Sequence, residues 1–224
     1  MLISVIIPAH NEEKYIEKTL KSLNKQTLNR GSYEIIVCND ASSDDTCGLS
    51  EKYADKVLNL AKQKSISKVR NNGAKIAKGR ILVFVDADTI VKPNLLKVIS
   101  KTINKKTAFC APIQMYNNKS MRAFLEFNKF LLQNMPELGL IGGCCMAISK
   151  DAFNELNGFD ENYLMNEDRK MHLELLKRGY KFKIINTSVR TSDRKIKKLG
   201  LVKFMTNSIH SFLMPKKADY IKIR

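Results

Sequence analysis

The 224-residue chain carries 39 Lys and Arg against 22 Asp and Glu, for a formal net charge of +17, with 44% hydrophobic and 27% charged residues. These proportions exclude a disordered or fibrous chain, and the length predicts one compact domain with its own core, with or without a short appendage. Uncharged stretches such as 138–149 fall well short of the roughly 20 apolar residues a bilayer span needs, so no spanning helix is expected.

Residues 3–8 form a β-branched run ended by a proline, which predicts a buried strand opening into a loop. Asn11 is expected to cap a helix over 12–26, with Ile16, Leu20 and Leu23 on one face. A second strand is expected over 34–38, a helix starting at Asp44 and Asp45, a brief third strand over 57–60, and a helix over 65–78 closed by Gly79. The run 80–85, with ILVFV at its centre, is the most hydrophobic strand, and it ends at Asp86, Ala87 and Asp88. Alternating strands and helices predict an α/β chain with a mostly parallel sheet and helices on both faces, whose ligands bind beyond the carboxyl ends of the strands. In the second half, helices are expected over 93–101, 121–133, 150–156 and 167–178, and strands over 108–114 and 142–148. Beyond Ile185 the pattern decays into a basic tail, in which Leu201, Met205, Ile209 and Phe212 recur at helical spacing.

Asp86 and Asp88 flank one small residue just past a buried strand. Two carboxylates so placed repel each other unless a cation joins them, and their hard oxygens suit Mg²⁺ or Mn²⁺. A lone D-x-D is equally well read as polar residues ending a strand. Three strings in order narrow the choice: PAHNEEKYIEKTLKSLNKQT from Pro8, then EIIVCNDASSDDT, then RNNGAKIAKGRILVFVDADT. Over residues 1–185 the chain resembles glycosyltransferase family 2, with its Rossmann-like GT-A fold.

The resemblance implies a metal-assisted, inverting transferase of the hexosyl or N-acetylhexosaminyl class that uses a nucleotide-sugar donor, most simply a UDP-sugar. Pro8, Ala9, His10 and Glu12 then line the nucleotide pocket, Asp40 meets the base, Arg70 lies beside the nucleotide, and Asp86, Ala87 and Asp88 face the ribose, the diphosphate and a divalent metal. Gly142 and Gly143 fall in the acceptor-side segment. In GFDENYLMNEDRKMHLELLKRGYK, Asp168 corresponds to the catalytic base and Glu167 to its neighbour, although Lys170 stands where the family often has an acid. Read without the resemblance, Asn166 caps a helix whose first-turn acids complement its dipole. His210 is a candidate third metal ligand, and His172 is expected to be incidental.

The implied layout is a catalytic domain over 1–190, divided into a donor half (1–105) and an acceptor half (106–190), followed by a basic amphipathic tail over 191–224. The expected acceptor is a glycan or a lipid-linked molecule. The start of the chain reads as a strand and not as a signal peptide, which predicts a cytoplasmic protein, and the tail suggests peripheral contact with an anionic membrane at its inner face. Five scattered cysteines match neither a disulfide framework nor a zinc spacing, so reduced, buried thiols are expected. Two other readings compete. A sugar-1-phosphate nucleotidyltransferase would open on a glycine-rich loop, which 8–12 lacks. A basic nucleic-acid-binding module would interleave aromatics with its charges, yet the chain has no tryptophan and its basic runs hold few aromatics, so nucleic acid is not an expected partner.

Overall fold

The computed structural model describes residues 2–63, 65–115, 120–135, 143–163 and 166–200, together with Lys203 and Thr206. Its strands are β1 (Ile3–Ala9), β2 (Tyr33–Asp40), β3 (Lys56–Leu60), β4 (Ile81–Val85), β5 (Thr89–Val91), β6 (Phe109–Met115), β7 (Cys145–Ser149) and β8 (Phe182–Thr191). Its helices are α1 (Ile16–Leu23), α2 (Thr46–Glu51), α3 (Ile66–Ile76), α4 (Leu95–Thr102), α5 (Ser120–Asn134), α6 (Lys150–Glu155), α7 (Glu167–Lys177) and α8 (Arg194–Leu199).

The strands form one sheet in the order β3-β2-β1-β4-β7-β6-β8-β5. β3, β2, β1 and β4 run parallel; β7 then runs antiparallel to β4 and β6, β8 parallel to β6, and β5 antiparallel to β8. The sheet is therefore mixed, with its parallel pairings concentrated in the first half. β4 is buried at every position because helices cover both faces there, which is why its sequence is a continuous apolar run with no alternation.

One face packs Ile3, Val5, Ile7 and Val83 against Ile16, Leu20 and Leu23 of α1 and Leu95, Leu96 and Ile99 of α4. The other packs Ile6, Leu82 and Phe84 against Val69 and Ala74 of α3, Phe153 of α6 and Leu175 of α7. Phe84, Phe153 and Phe159 meet as an aromatic trio, with ring centroids 4.9–5.6 Å apart. Each fully buried apolar side chain of this kind contributes roughly 1.5–3 kcal/mol.

Several local expectations are corrected. α1 starts at Ile16, and Asn11 does not cap it. Asn11 takes φ 54° and accepts the Ser43 N–H at 2.8 Å, while the amides of Asn11, Glu12 and Glu13 donate to Ser42, Thr46 and Asp44. The loop after β1 is thus stitched to the loop after β2, and its amides are taken up before a helix can form. Gly79 does not close α3, which ends in extended backbone at Ala77. A Cβ at Gly79 would lie 2.4 Å from the Ser4 nitrogen, so close approach of two chain segments requires the glycine.

Asn166 precedes α7 at φ 60°, but its side chain makes no capping hydrogen bond to the helix. Neither β5 nor β8 is among the expected strands, and β8 runs from Phe182 to Thr191, past the point at Ile185 beyond which the pattern decays in the sequence. The cysteines of the chain are free, and all but the half-buried Cys47 are buried. The amphipathic stretch Leu201, Met205, Ile209 and Phe212, along with His210 and Gly142, lies outside the described residues.

Candidate active site

The strand order reverses at β1, which pairs with β2 on one side and β4 on the other. Chain departing from these strands in opposite directions leaves a crevice at their carboxyl ends, where α/β folds bind ligands. His10 to Glu12, Asp40, and Asp86 to Asp88 all emerge at this crevice. Two residues beside it, Asn11 and Ala41, hold positive φ without being glycine, at 54° and 52°, the kind of local strain that gathers at functional sites.

The loop after β4 is fixed at three points. The Asp86 N–H donates to the Cys144 carbonyl at 2.9 Å, the Thr89 N–H to the Asp86 carbonyl at 3.0 Å, and the Thr19 hydroxyl of α1 to the Ala87 carbonyl at 2.7 Å. Both aspartates are thereby presented from a rigid turn. Pro8 and Ala9 end β1, and His10 Nδ1 lies 2.6 Å from the Asp40 carbonyl. Asp40 is buried and accepts the Gln63 N–H at 2.6 Å.

Arg70, on α3, is 2% exposed and forms the hub of a buried network. It donates through Nη2 to Asp86 at 2.9 Å and to the Gly143 carbonyl at 3.1 Å, pairs through Nη1 with Glu167, and packs over the Phe159 ring at 5.6 Å. The guanidinium thus links the loop after β4 with the start of α7. Burial alone would favour the neutral guanidine, but Glu167, Asp86 and Asp168 hold the proton more strongly still.

Asp168, in the first turn of α7, is 7% exposed and accepts the Arg169 N–H at 2.7 Å. Burial raises its carboxyl to about 7; the adjacent Glu167 adds to the rise, and Arg70 opposes it. A Cβ at Gly143 would sit 2.7 Å from Asp168 Oδ2, so only glycine leaves that oxygen its place. A carboxylate that titrates near neutrality, with one oxygen fixed by a backbone amide, has the character of a general base.

A second cluster is completed by residues that the sequence reading did not select. Arg194, at the start of α8, forms a two-pronged pair with Glu12, each arm 2.6 Å, and its Nε lies 3.1 Å from Asp88 Oδ2. Ser192 donates to Asp88 at 2.5 Å and Thr191 at 3.4 Å. Tyr15 stacks beneath the guanidinium at 5.1 Å. Burial pushes the Glu12 carboxyl up, with Arg194 opposing. The available signal was the β-branched residues Ile184, Ile185, Thr187, Val189 and Thr191 of β8, which fit a strand that carries the following residues back to the sheet. His172 packs between Phe109 and Phe182 in the core, away from this chemistry.

A mixed sheet with a strand-end crevice, paired aspartates at its mouth and a buried carboxylate opening a helix nearby is the layout of the GT-A fold. Residues 4–156 match the model of "Glycosyl transferase family 2". The chain belongs to that family. It is 31% identical over 183 residues to the minor teichoic acid biosynthesis protein GgaB of Bacillus subtilis, an alignment covering 75% of this chain and 20% of that protein. It is 30% identical over 185 residues to WfgD of Escherichia coli, a UDP-Glc:alpha-D-GlcNAc-diphosphoundecaprenol beta-1,3-glucosyltransferase, covering 79% of this chain and 70% of the relative. The mannosyltransferase PcManGT from Pyrobaculum calidifontis, solved with GDP-Man and Mn²⁺, shares the fold at a TM-score of 0.73 and 17% identity, covering 93% of this chain and 64% of that one. The chain thus spans about a fifth of GgaB and most of WfgD. Among the described residues, no helix is long and apolar enough to cross a membrane.

Proposed function

We propose that this chain is an inverting glycosyltransferase that moves a sugar from a UDP-sugar to a hydroxyl of a glycan or lipid-linked acceptor, with Asp168 as the base. The observation that carries this reading is the buried Asp168 carboxyl, raised to about 7 and set beside Glu167, Arg70 and Gly143 in the same network as Asp86. An acceptor hydroxyl reaching Asp168 would lose its proton late in the transfer, as oxocarbenium character builds at the sugar. Arg70 keeps three neighbouring carboxylates compatible in one buried space. Asp40 and His10 sit where a base and ribose would enter, and the buried Asp40 carboxylate suits a ring N–H. WfgD, named for a UDP-sugar donor and a lipid-linked acceptor, supports the donor and acceptor classes.

Asp86 and Asp88 would hold a divalent metal, Mn²⁺ or Mg²⁺. The donor chemistry fits in kind: both are hard carboxylate oxygens, and the Ser192 and Thr191 hydroxyls hold Asp88 in place. Carboxylate oxygens of this kind suit an ion that keeps waters and takes phosphate oxygens. When bound, such an ion supplies neutralisation of charge on the departing diphosphate. The Mn²⁺ in PcManGT supports this assignment.

The test is a screen of UDP-, GDP- and dTDP-sugars for Mn²⁺-dependent thermal stabilisation, followed by transfer assays. UDP-sugars should raise Tm with Mn²⁺ present, and Asp88→Asn should remove the increment. Asp168→Asn should bind donor within about twofold of wild type and lose about a thousandfold or more in turnover, the scale of a lost general base. Wild-type turnover by Asp168→Asn would exclude it as the base. Formation of UTP and sugar 1-phosphate from a UDP-sugar and added pyrophosphate, with no UDP released, would favour nucleotidyl transfer.

A further inference from the structure

The Arg194 guanidinium satisfies both Glu12 oxygens and also lies against Asp88, leaving the two carboxylate side chains only 12% and 8% exposed. Arg194 itself is 37% exposed. It is therefore the outermost, most removable member of the cluster, and it can withdraw without opening the core. Asp88 Oδ2, the oxygen facing Arg194 Nε, also receives the Ser192 hydroxyl. A divalent ion binding that carboxylate must share it with, or displace, a guanidinium whose Nε lies 3.1 Å from the same oxygen, and two like charges gathered on one carboxylate repel each other. A guanidinium released from Glu12 and Asp88 remains a planar fork suited to a phosphate group.

Building on the metal reading above, we propose that Arg194 is a positioning residue that acts as a resident counter-cation. It holds Glu12 and Asp88 in the nucleotide-free enzyme, so that a divalent ion alone binds weakly and binds tightly only when a nucleoside diphosphate draws the guanidinium away. Metal and donor then enter as one unit. The acidic corner stays neutralised between turnovers.

The experiment is an electron paramagnetic resonance titration of Mn²⁺ into the full chain, without nucleotide and with UDP, for wild type, Arg194→Gln, Tyr15→Leu and Asp88→Asn. Without nucleotide, Arg194→Gln should bind Mn²⁺ about tenfold more tightly than wild type, equivalent to about 1.4 kcal/mol. Tyr15→Leu removes only the stacking support and leaves every carboxylate in place, so it should move affinity in the same direction by a smaller factor. With UDP present the ordering should reverse, Arg194→Gln falling below wild type. A purely structural role for Arg194 predicts unchanged or weaker Mn²⁺ binding in both variants, and that result overturns the proposal. If UDP-loaded wild type binds Mn²⁺ and Asp88→Asn does not, such a result leaves the metal site standing; if no protein binds Mn²⁺ even with UDP, the metal reading itself falls, and this inference with it.

Discussion

Asp168 makes opposite demands on activity and on stability. Its carboxyl sits at about 7 in the folded chain, raised by burial and by Glu167, with Arg70 lowering it and Asp86 adding to the rise; an unfolded aspartate titrates near 3.9. Between those values the folded state holds the proton more firmly than the unfolded state does, so this group's contribution to stability declines as pH rises from about 4 to about 7. In the proposed role of base, by contrast, Asp168 would work only when deprotonated. Transfer by the wild type should therefore climb with pH and level off above about 7, while Asp168→Asn should melt several degrees higher than wild type at pH 8 and converge with it near pH 4, at ~2–4 °C per kcal/mol for a domain of this size. Calorimetry over a pH series alongside a kcat/KM profile reads both, and a melting difference independent of pH would contradict the assignment. Asp86, Asp88 and Asp168 stand out in the sequence as candidates because each lies in a short string with a recognisable neighbour. Arg194 was not, because its meaning depends on Glu12 and Asp88, which are remote in sequence and adjacent only after folding.

At the level of elements, the opposite end of the sheet is held by a polar knot that contributes to stability and not to chemistry. Glu34, near the start of β2, accepts the Ser4 hydroxyl at 2.6 Å and the Lys78 N–H at 2.7 Å and pairs with Lys56 at 2.9 Å, while Ser4 accepts the Gly79 N–H at 2.8 Å. Several backbone and side-chain donors thus depend on one carboxylate that is 3% exposed. Glu34→Ala should destabilise the chain by about 1–3 kcal/mol, the scale for leaving buried hydrogen-bond donors without their acceptor. Urea unfolding measures this, and UDP affinity of the folded variant should stay unchanged because the knot lies at the amino ends of strands whose carboxyl ends form the crevice. The late start of α1 belongs to the same scale. Its apolar spacing correctly marked Ile16, Leu20 and Leu23 as core, but only the loop after β2 decides that the amides of Asn11 to Glu13 are consumed before the helix begins.

Across the whole molecule, a net charge of +17 coexists with a crevice lined by Glu12, Asp40, Asp86, Asp88, Glu167 and Asp168 and neutralised locally by Arg70 and Arg194. For the proposed function, the long-range field would draw an anionic donor, whereas the nearby field would call for a cation to receive it. Association of a fluorescent UDP analogue, followed by stopped flow, should slow several-fold between about 0.05 and 0.5 M salt as screening shortens the field, with little change in dissociation; a salt-independent association rate would remove the steering role. By itself the amino-acid sequence determined the parallel first half, its buried strands and the aspartates at their ends, because hydrophobic period, strand length and short motifs are local properties of the chain. Tertiary structure alone decided that β8 returns to the sheet through Thr191, that Arg70 joins Asp86 to Glu167, and that Arg194 closes on Asp88. Those pairings arise between residues far apart along the chain, where a charge has no assigned partner until the fold removes it from water.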